Sequence, residues 1–273
     1  MGVPFGWPEA PLRGLRALLL GLMLWAAGGW AAEAVAEEPP TIAAAADLQF
    51  ALTEVAAAFT VETGLEVKLA FGSSGNFARQ IRQGAPFEMY LSADENYVLE
   101  LAKDGFARDE GALYAIGRIV IIVPQGSPLE ADGSLEDLRA ALEDGRVQKF
   151  AIANPEHAPY GQRAEEALRH AGLWGAIEDR LVLGENVSQA AQFATSGSAQ
   201  GGIIAYSLAL SPKVSALGTF ALIPHGWHDP LRQRMVLLAD AGRAAGRFFA
   251  FLQQPPARAI MRQYGFVLPG EES

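Results

Sequence analysis

The chain has 273 residues, contains no cysteine and carries a formal net charge of −10. The lack of cysteine excludes a lipid-modified cysteine anchor, iron–sulfur clusters and thiolate zinc sites. The acidic balance argues against nucleic acid as a partner, because binding to its phosphate backbone depends on lysine and arginine.

The N-terminal region has the layout of an export signal. Arg13 and Arg16 precede an apolar run over residues 17–25, and small residues then lead to Ala36. This order predicts a secretory signal peptide over residues 1–36, in preference to a buried N-terminal helix. No later stretch reaches the roughly 20 apolar residues that a spanning helix needs. We therefore expect a soluble mature chain that is exported and is long enough for one large domain or for two lobes of ordinary size.

The first part of the mature chain alternates predicted strands and helices. Residues 41–46 form an apolar run typical of a strand, and apolar residues then recur at helical spacing over 48–59. Gly64 is placed to end this helix, residues 65–71 predict a second strand, and a second helix follows the turn at 72–75. The next predicted elements are a strand over 87–92 and a helix that Asp94 caps and that ends near Lys103. This β-α-β-α order predicts a parallel sheet whose turns gather at the carboxyl ends of the strands.

The second part of the chain repeats the alternation of predicted strands and helices. Residues 119–123 are a continuous β-branched run, which predicts a strand buried on both faces and a crossing into a second lobe. The later predicted strands are residues 150–153, 181–183, 201–206, 220–223 and 235–238, and the later predicted helices open at Leu135, Gln162, Ser188 and Arg243. Because the last strand is placed to return to the first lobe, we predict one lobe from 41–118 plus 232–273 and another from 119–231.

Four turns between a strand and a helix point to an anion site. They are residues 46–47, 72–75, 159–161 and 186–188. The first N–H groups of a helix have no partner inside the helix and lie at its positive end, so such turns bind a small anion without a formal positive charge. Because the net charge of the chain opposes encounter with an anion, affinity has to come from short-range hydrogen bonds.

Several short motifs occur in an order and spacing that resemble one family. They are AAAADL (43–48), GSSG (72–75) with ARQI (78–81), GAP (84–86), SAD (92–94), NPEH (154–157) and YGF (264–266). Together these motifs resemble those of the periplasmic molybdate-binding proteins of ABC transporters, over essentially all of residues 41–268. The resemblance implies an α/β, two-lobed type II periplasmic binding protein fold. Each lobe is then a mixed, mostly parallel sheet flanked by helices, with the ligand in the cleft between the lobes.

The same resemblance implies a function and its partners. We expect a binding protein that captures molybdate, and also tungstate, and delivers it to a membrane ABC permease with its ATPase. The chain is expected to be a monomer without catalytic activity or a cofactor, since the oxyanion itself is the ligand. Two alternatives stay open: a binding protein for sulfate or another tetrahedral oxyanion, and a secreted serine hydrolase.

The resemblance also implies site residues. Ser74 corresponds to a hydroxyl ligand, the turn at Ala46 and Asp47 to a second contact of the first lobe, and Tyr160 and Val187 to backbone N–H donors of the second lobe. These five residues would hold a metal only in the form of the molybdate or tungstate oxyanion. Asp47 either contacts the ligand through its backbone or only caps a helix. A tyrosine that some members contribute corresponds to Ala205, with Tyr206 one residue later.

A hydrolase and a metal site are the competing interpretations. Ser74, His157 and Asp47 could form a triad, yet the sequence around Ser74 is not the G-x-S-x-G turn of an α/β-hydrolase. His157 has no second histidine at ligand spacing, so a supporting role is favoured over catalysis or metal binding. His225 and His228 are interpreted as part of a surface hinge rather than a metal loop. The Gly-rich fingerprints of nucleotide-binding enzymes are absent from the sequence.

Overall fold

The computed structural model describes residues 1–6 and 38–271, so the predicted signal peptide lies almost entirely outside the described residues. The chain divides into Met1–Glu38 and Pro39–Ser273, and the second of these units contains all the elements below. Among the helices described, none is both long and apolar enough to cross a membrane.

One five-stranded sheet is built from both ends of the second unit. Its strands are β1 (Thr41–Ala45), β2 (Lys68–Gly72), β3 (Met89–Ser92), β4 (Ala112–Gly117) and β10 (Leu231–Leu237), in the order β2-β1-β3-β10-β4. Its helices are α1 (Gln49–Thr63), α2 (Ser74–Arg82), α3 (Glu95–Lys103), α10 (Arg243–Leu252) and α11 (Pro255–Gln263). We call this sheet with its helices the first lobe.

The middle of the chain forms a second five-stranded sheet. Its strands are β5 (Ile119–Pro124), β6 (Phe150–Ala153), β7 (Leu181–Gly184), β8 (Gly202–Ala205) and β9 (Gly218–Leu222), in the order β7-β6-β8-β5-β9. Its helices are α4 (Glu136–Glu143), α5 (Pro159–His170), α6 (Trp174–Ile177), α7 (Val187–Thr195), α8 (Tyr206–Ala209) and α9 (Pro212–Ser215). Short 3-10 turns cover Ala46–Leu48, Glu178–Arg180 and His225–Trp227. We call this sheet with its helices the second lobe.

The strand pairing is evenly mixed in both lobes. In the first lobe β1 is parallel to β2 and β3, whereas β10 is antiparallel to β3 and β4. In the second lobe β6 is parallel to β7 and β8, whereas β5 is antiparallel to β8 and β9. The predicted two-lobed α/β class is confirmed, but the sheets are not mostly parallel. The antiparallel pairings belong to β5 and β10, which enter their sheets by the crossings between the lobes rather than through a βαβ unit.

Local signals in the sequence explain several helix ends. Gly64 follows α1 with a φ of 70°, the left-handed conformation that ends helices and that glycine adopts without strain. The side chain of Asp94 caps α3 by accepting a hydrogen bond from the Asn96 N–H at 2.9 Å. Both predicted helix boundaries are confirmed.

Other boundaries differ from the prediction. The sequence pattern does not reveal β4, and β10 begins at Leu231, four residues before its predicted start. Tyr206 opens α8 instead of ending a strand. The helix predicted from Gln162 begins at Pro159, because proline fits the first helical position, where no N–H is needed. Tyr160 therefore lies in the first turn of a helix and not in a loop before it.

The apolar cores show how the lobes meet. Alternate residues of β1 point to opposite faces of the first sheet, so that Ile42 and Ala43 belong to two different buried clusters. The buried cluster of the second lobe also includes Ala45, Ala46 and Ala93 from the first lobe. Apolar packing is thus continuous across the cleft, and the lobes are closed on each other.

Candidate ligand-binding site

A small cavity lies between the lobes. It is lined by Ala45, Ala46, Asp47, Gly72, Ser73, Ser74 and Ala93 from the first lobe and by Ala158, Pro159, Tyr160, Asn186 and Val187 from the second. All five predicted site residues are therefore brought to one place. A surface groove beside Gly126 and Leu217 is larger. The small cavity is distinguished by its position where strand ends and helix starts of both lobes meet.

Three helices begin at the cavity. Ser74 opens α2, Tyr160 is the second residue of α5, and Val187 opens α7. Their N–H groups belong to the first helical turn, where an N–H has no partner inside the helix and lies at the positive end of the helix dipole. The Asn186 side chain caps α7 through the N–H of Gln189 at 3.1 Å, which leaves the Val187 N–H uncovered by the cap. No lysine, arginine or histidine is among the described residues that line the cavity.

Ser74 offers a hydroxyl proton to this cavity. The residue is 1% exposed, and its Oγ accepts a hydrogen bond from the Ala93 N–H at 3.0 Å. Its backbone oxygen accepts a second bond, from the Tyr90 hydroxyl at 2.8 Å. Because the Oγ acts as an acceptor toward Ala93, its own O–H remains available to donate to a ligand.

Asp47 lies in the 3-10 turn that follows β1 and is 1% exposed. Its Oδ2 accepts hydrogen bonds from the Tyr160 hydroxyl at 2.9 Å and from the Gln233 Nε2 at 2.7 Å. Gln233 is held in turn by the Tyr114 hydroxyl, which donates to its Oε1 at 2.7 Å. The sequence left open whether Asp47 contacts the ligand through its backbone or only caps a helix, and the structure shows its carboxylate held by two side chains. Burial raises the pKa of Asp47 to about 6, because desolvation outweighs these hydrogen bonds.

Two serines that sequence reasoning did not single out tie the second lobe to this turn. The Ser188 hydroxyl donates to the backbone oxygen of Ala46 at 3.0 Å, and the Ser207 hydroxyl donates to that of Asp47 at 2.8 Å. Ser188 is the second residue of α7, and Ser207 is the second residue of α8. Each hydroxyl lies at the second residue of an observed helix, but its partner is more than a hundred residues away in the chain.

A further set of contacts joins the lobes beside the cavity. The Ser73 hydroxyl and the Gly75 N–H both donate to the backbone oxygen of His157, the second at 3.0 Å. The His157 Nδ1 lies 2.9 Å from the Ser73 Oγ, and its Nε2 lies 3.6 Å from a carboxylate oxygen of Glu185. Asn76 also donates to Glu185. Since the Ser73 proton is directed to a carbonyl, the Nδ1 of His157 is the donor in the His157–Ser73 contact.

Comparison with known proteins places this geometry in a family. The model of a family described as bacterial extracellular solute-binding protein matches residues 40–267. The chain belongs to this family. The match includes every strand and helix described above, so both lobes and the cavity between them fall within it.

Individual relatives and one solved structure show which members of the family this chain resembles. The molybdate-binding protein ModA of Rhodobacter capsulatus is 36% identical over 254 residues, which cover 92% of this chain and 93% of the relative. The protein of the same name from Azotobacter vinelandii is 32% identical over 230 residues, covering 83% and 89%. A solved structure of the Azotobacter vinelandii periplasmic molybdate-binding protein has a TM-score of 0.75 and 29% identity, and covers 84% of this chain and 99% of that one.

The position left open for a tyrosine ligand lies outside the cavity lining. Ala205 is buried at the end of β8, and neither it nor Tyr206 is among the described lining residues. The ring of Tyr206 packs against Phe220, with 6.0 Å between the ring centroids, and the Arg118 guanidinium lies 5.6 Å from its centroid. In this solute-binding protein, Tyr206 therefore contributes to the packing of the second lobe.

The residues of a possible triad are not assembled. His157 contacts Ser73 rather than Ser74, and the Asp47 carboxylate is held by Tyr160 and Gln233 rather than by a histidine. Ser74 consequently has no general base beside it among the described residues. Within that part of the chain, no group of three or more histidine, aspartate or glutamate side chains is placed to hold a metal ion.

Proposed function

We propose that this protein captures molybdate, and also tungstate, in the cavity between its lobes and delivers it to a membrane ABC permease. In this proposal Ser74 donates its hydroxyl proton, and the backbone N–H groups of Ala46 or Asp47, Tyr160 and Val187 complete the coordination. The protein acts by binding and not by catalysis, needs no cofactor, and works as a periplasmic monomer with a permease that is driven by an ATPase.

One observation carries the proposal. Both lobes contribute uncovered helix N–H groups to one small cavity that no cationic side chain lines among the residues described. Such a donor set suits a compact oxyanion, which needs hydrogen-bond donors on all sides and can be bound without a counter-charge. The two relatives of greatest identity described above, both named molybdate-binding proteins, favour molybdate over other oxyanions.

The proposal includes a closing motion. We place a first lobe at residues 41–118 plus 232–273 and a second at 119–231, with the two crossings between them acting as the hinge. The first crossing lies near 117–120, between β4 and β5; the second was predicted near 232–235, but those residues lie inside β10, so residues 223–230 between β9 and β10 take this role. Donors from both lobes reach the ligand only in the closed arrangement. A bound oxyanion therefore makes more hydrogen bonds when the lobes are closed than when they are open, and it favours closure.

A calorimetric titration of the mature chain tests the function. Molybdate and tungstate are expected to bind, and sulfate and phosphate to bind much more weakly. A cavity of fixed size leaves the hydrogen bonds to a smaller anion stretched, and a protonated anion finds few acceptors among these donors. Equal affinity for molybdate and sulfate would point to a general oxyanion carrier instead. No binding of any of the four anions would contradict the proposal.

Ser74→Ala should weaken molybdate binding by about 1.5–3 kcal/mol, the usual range for a hydrogen bond to a charged group. The stability of the ligand-free protein should change little by comparison. Ser198→Ala, which removes an exposed hydroxyl of the second lobe, is the control and should bind like the unmodified chain. Unchanged affinity of Ser74→Ala in the same titration would show that this serine only begins a helix.

Val187→Pro removes one backbone donor with little change of shape. Proline is well accepted at the first helical position, and Asn186 before it already has an extended backbone, with φ −150° and ψ 174°. We expect molybdate affinity to fall roughly tenfold or more, because a donor to a charged ligand is lost. Arg243→Pro places a proline at the same position of α10, away from the cavity, and should bind normally. An equal loss in both variants would assign the effect to the proline and not to the missing N–H.

A further inference from the structure

The carboxyl group of Asp47 is an unusual neighbour for an anion. It belongs to a residue that lines the cavity, it is buried, and its Oδ1 has no side-chain partner among the described residues, only the nearby backbone N–H groups of Asp47 and Leu48. Buried carboxylate oxygens are normally paired, and an unpaired one is costly. The proposed function adds a second negative species to the same cavity, so the charge on Asp47 has to be accounted for.

The groups packed around Asp47 do not supply a positive charge. Tyr160 of α5 and Tyr114 of β4 are the titratable side chains that face it, and Gln233 of β10 is neutral. Burial raises the pKa of both tyrosines well above the ordinary value, so both remain neutral. Helices α7 and α8 meet the turn with the hydroxyls of Ser188 and Ser207, bonded to backbone oxygens. From α1 and β2, as from the other described elements, no lysine, arginine or histidine forms an ion pair with Asp47.

Two negative charges in one desolvated site repel each other strongly, so the group that can bind a proton takes up a proton and becomes neutral. Donor N–H groups offset the charge of the ligand but cannot neutralise a carboxylate that is already held by Tyr160 and Gln233. The carboxyl is predisposed to this change, since burial alone raises the pKa of Asp47 to about 6. A dianion in the cavity shifts that pKa further in the same direction.

We propose that the site binds a tetrahedral dianion together with one proton, and that the carboxyl of Asp47 holds this proton. The proton comes from solvent, and no covalent bond to the ligand is made or broken. The inference rests on the proposed function and identifies Asp47 as a positioning and selectivity residue. Asp47 links oxyanion affinity to pH: affinity falls as the pH rises through neutrality, because proton uptake becomes harder.

Isothermal titration of molybdate into the mature chain measures the proton directly. The titration is performed at pH 7 in two buffers with different enthalpies of ionisation, and the difference in observed heat gives the number of protons taken up. We expect about 0.5 to 1 proton per molybdate bound, and an affinity that weakens about three- to tenfold between pH 7 and pH 8, where molybdate keeps both charges. Asp240→Asn, an exposed acid, is the control and should behave like the unmodified chain.

Asp47→Asn identifies the group that takes the proton. The amide has the shape of the protonated acid and can still accept from Tyr160 and Gln233, so molybdate should bind without proton uptake and with an affinity independent of pH. Uptake that persists in this variant would overturn the inference. So would the absence of uptake in the unmodified chain, a measurement that does not depend on whether the variant folds. In either case binding of molybdate would leave the proposed function standing, whereas a failure to bind it would overturn both.

Discussion

Gly75→Val should lower molybdate affinity at least about 100-fold, or about 3 kcal/mol, without unfolding the protein. Gly75 is the second residue of α2 in the first lobe, and its N–H donates to the backbone oxygen of His157 in the second. A Cβ at this position would lie 2.7 Å from that oxygen and 3.2 Å from the Cα of His157. These are backbone atoms of the opposite lobe, so the contact can be relieved only by separating the lobes.

The same substitution is much less disturbing inside the first lobe. The other close neighbour of such a Cβ is the hydroxyl of Tyr97, at 2.9 Å, which is the end of a side chain that can move. Valine should therefore be tolerated when the cleft is open and excluded when it is closed. An effect on ligand affinity without a matching loss of stability is the result expected from such a position.

Small-angle scattering together with calorimetry would test this prediction. The unmodified chain should become more compact on addition of molybdate, whereas the Gly75→Val chain should keep the larger radius of gyration. Gly246→Val provides a matched control, because Gly246 lies in α10 and a Cβ at that position would have no atom within 4 Å apart from its chain neighbours and the backbone of its own helix. If Gly75→Val bound molybdate normally, close approach of these two segments would not be needed for binding.

Asp47→Asn should stabilise the closed arrangement of the ligand-free protein at neutral pH by up to about 3 kcal/mol. The pKa of Asp47 is raised by burial from an ordinary 3.8 to about 6, and each pKa unit corresponds to about 1.36 kcal/mol. An acid with a raised pKa in the folded state costs nothing at a pH where it is protonated in both states. The loss of stability begins as the pH rises above the pKa of the unfolded state and is complete above the pKa of the folded state.

The sign of this effect determines how the difference in stability between the two chains should change with pH. Denaturant unfolding should show that Asp47→Asn is more stable than the unmodified chain at about pH 7.5, and that the two are nearly equal at about pH 4. The gain refers to the closed arrangement, in which Tyr160 of the second lobe covers the carboxylate. Asp240→Asn should show no such difference. A destabilised Asp47→Asn at neutral pH would mean that the charged carboxylate strengthens its hydrogen bonds by more than its burial costs.

The order of the elements could be predicted from the sequence because its causes are local. Apolar spacing, Gly64 after a helix and Asp94 before one act over a few residues, and the structure bears them out. The strand β4 was missed. The start of α5 was placed three residues late, although Pro159 was visible, because a proline is equally consistent with a loop.

The cavity could be predicted only in outline. A parallel βαβ unit directs its turns to one edge of the sheet, so turns after successive strands were expected to lie together, and the five residues proposed as ligands do line one space. Which of their side chains would bond to each other was not predictable from those turns. The carboxylate of Asp47 shows this, since either orientation of the side chain is compatible with the motif around it.

What the sequence determined by itself is the succession of strands and helices and the turns of mostly small residues that join them, since these depend on neighbouring residues. What only the tertiary structure decided is how the turns are linked across the cleft. Asp47 is 113 residues from Tyr160 and 186 residues from Gln233, and Ser73 is 84 residues from His157. The contacts of Asp47 with Tyr160 and of Ser73 with His157 depend on the closing of one lobe on the other, and the contact of Asp47 with Gln233 depends on the return of the chain to the first lobe. No local pattern of residues exists for any of them.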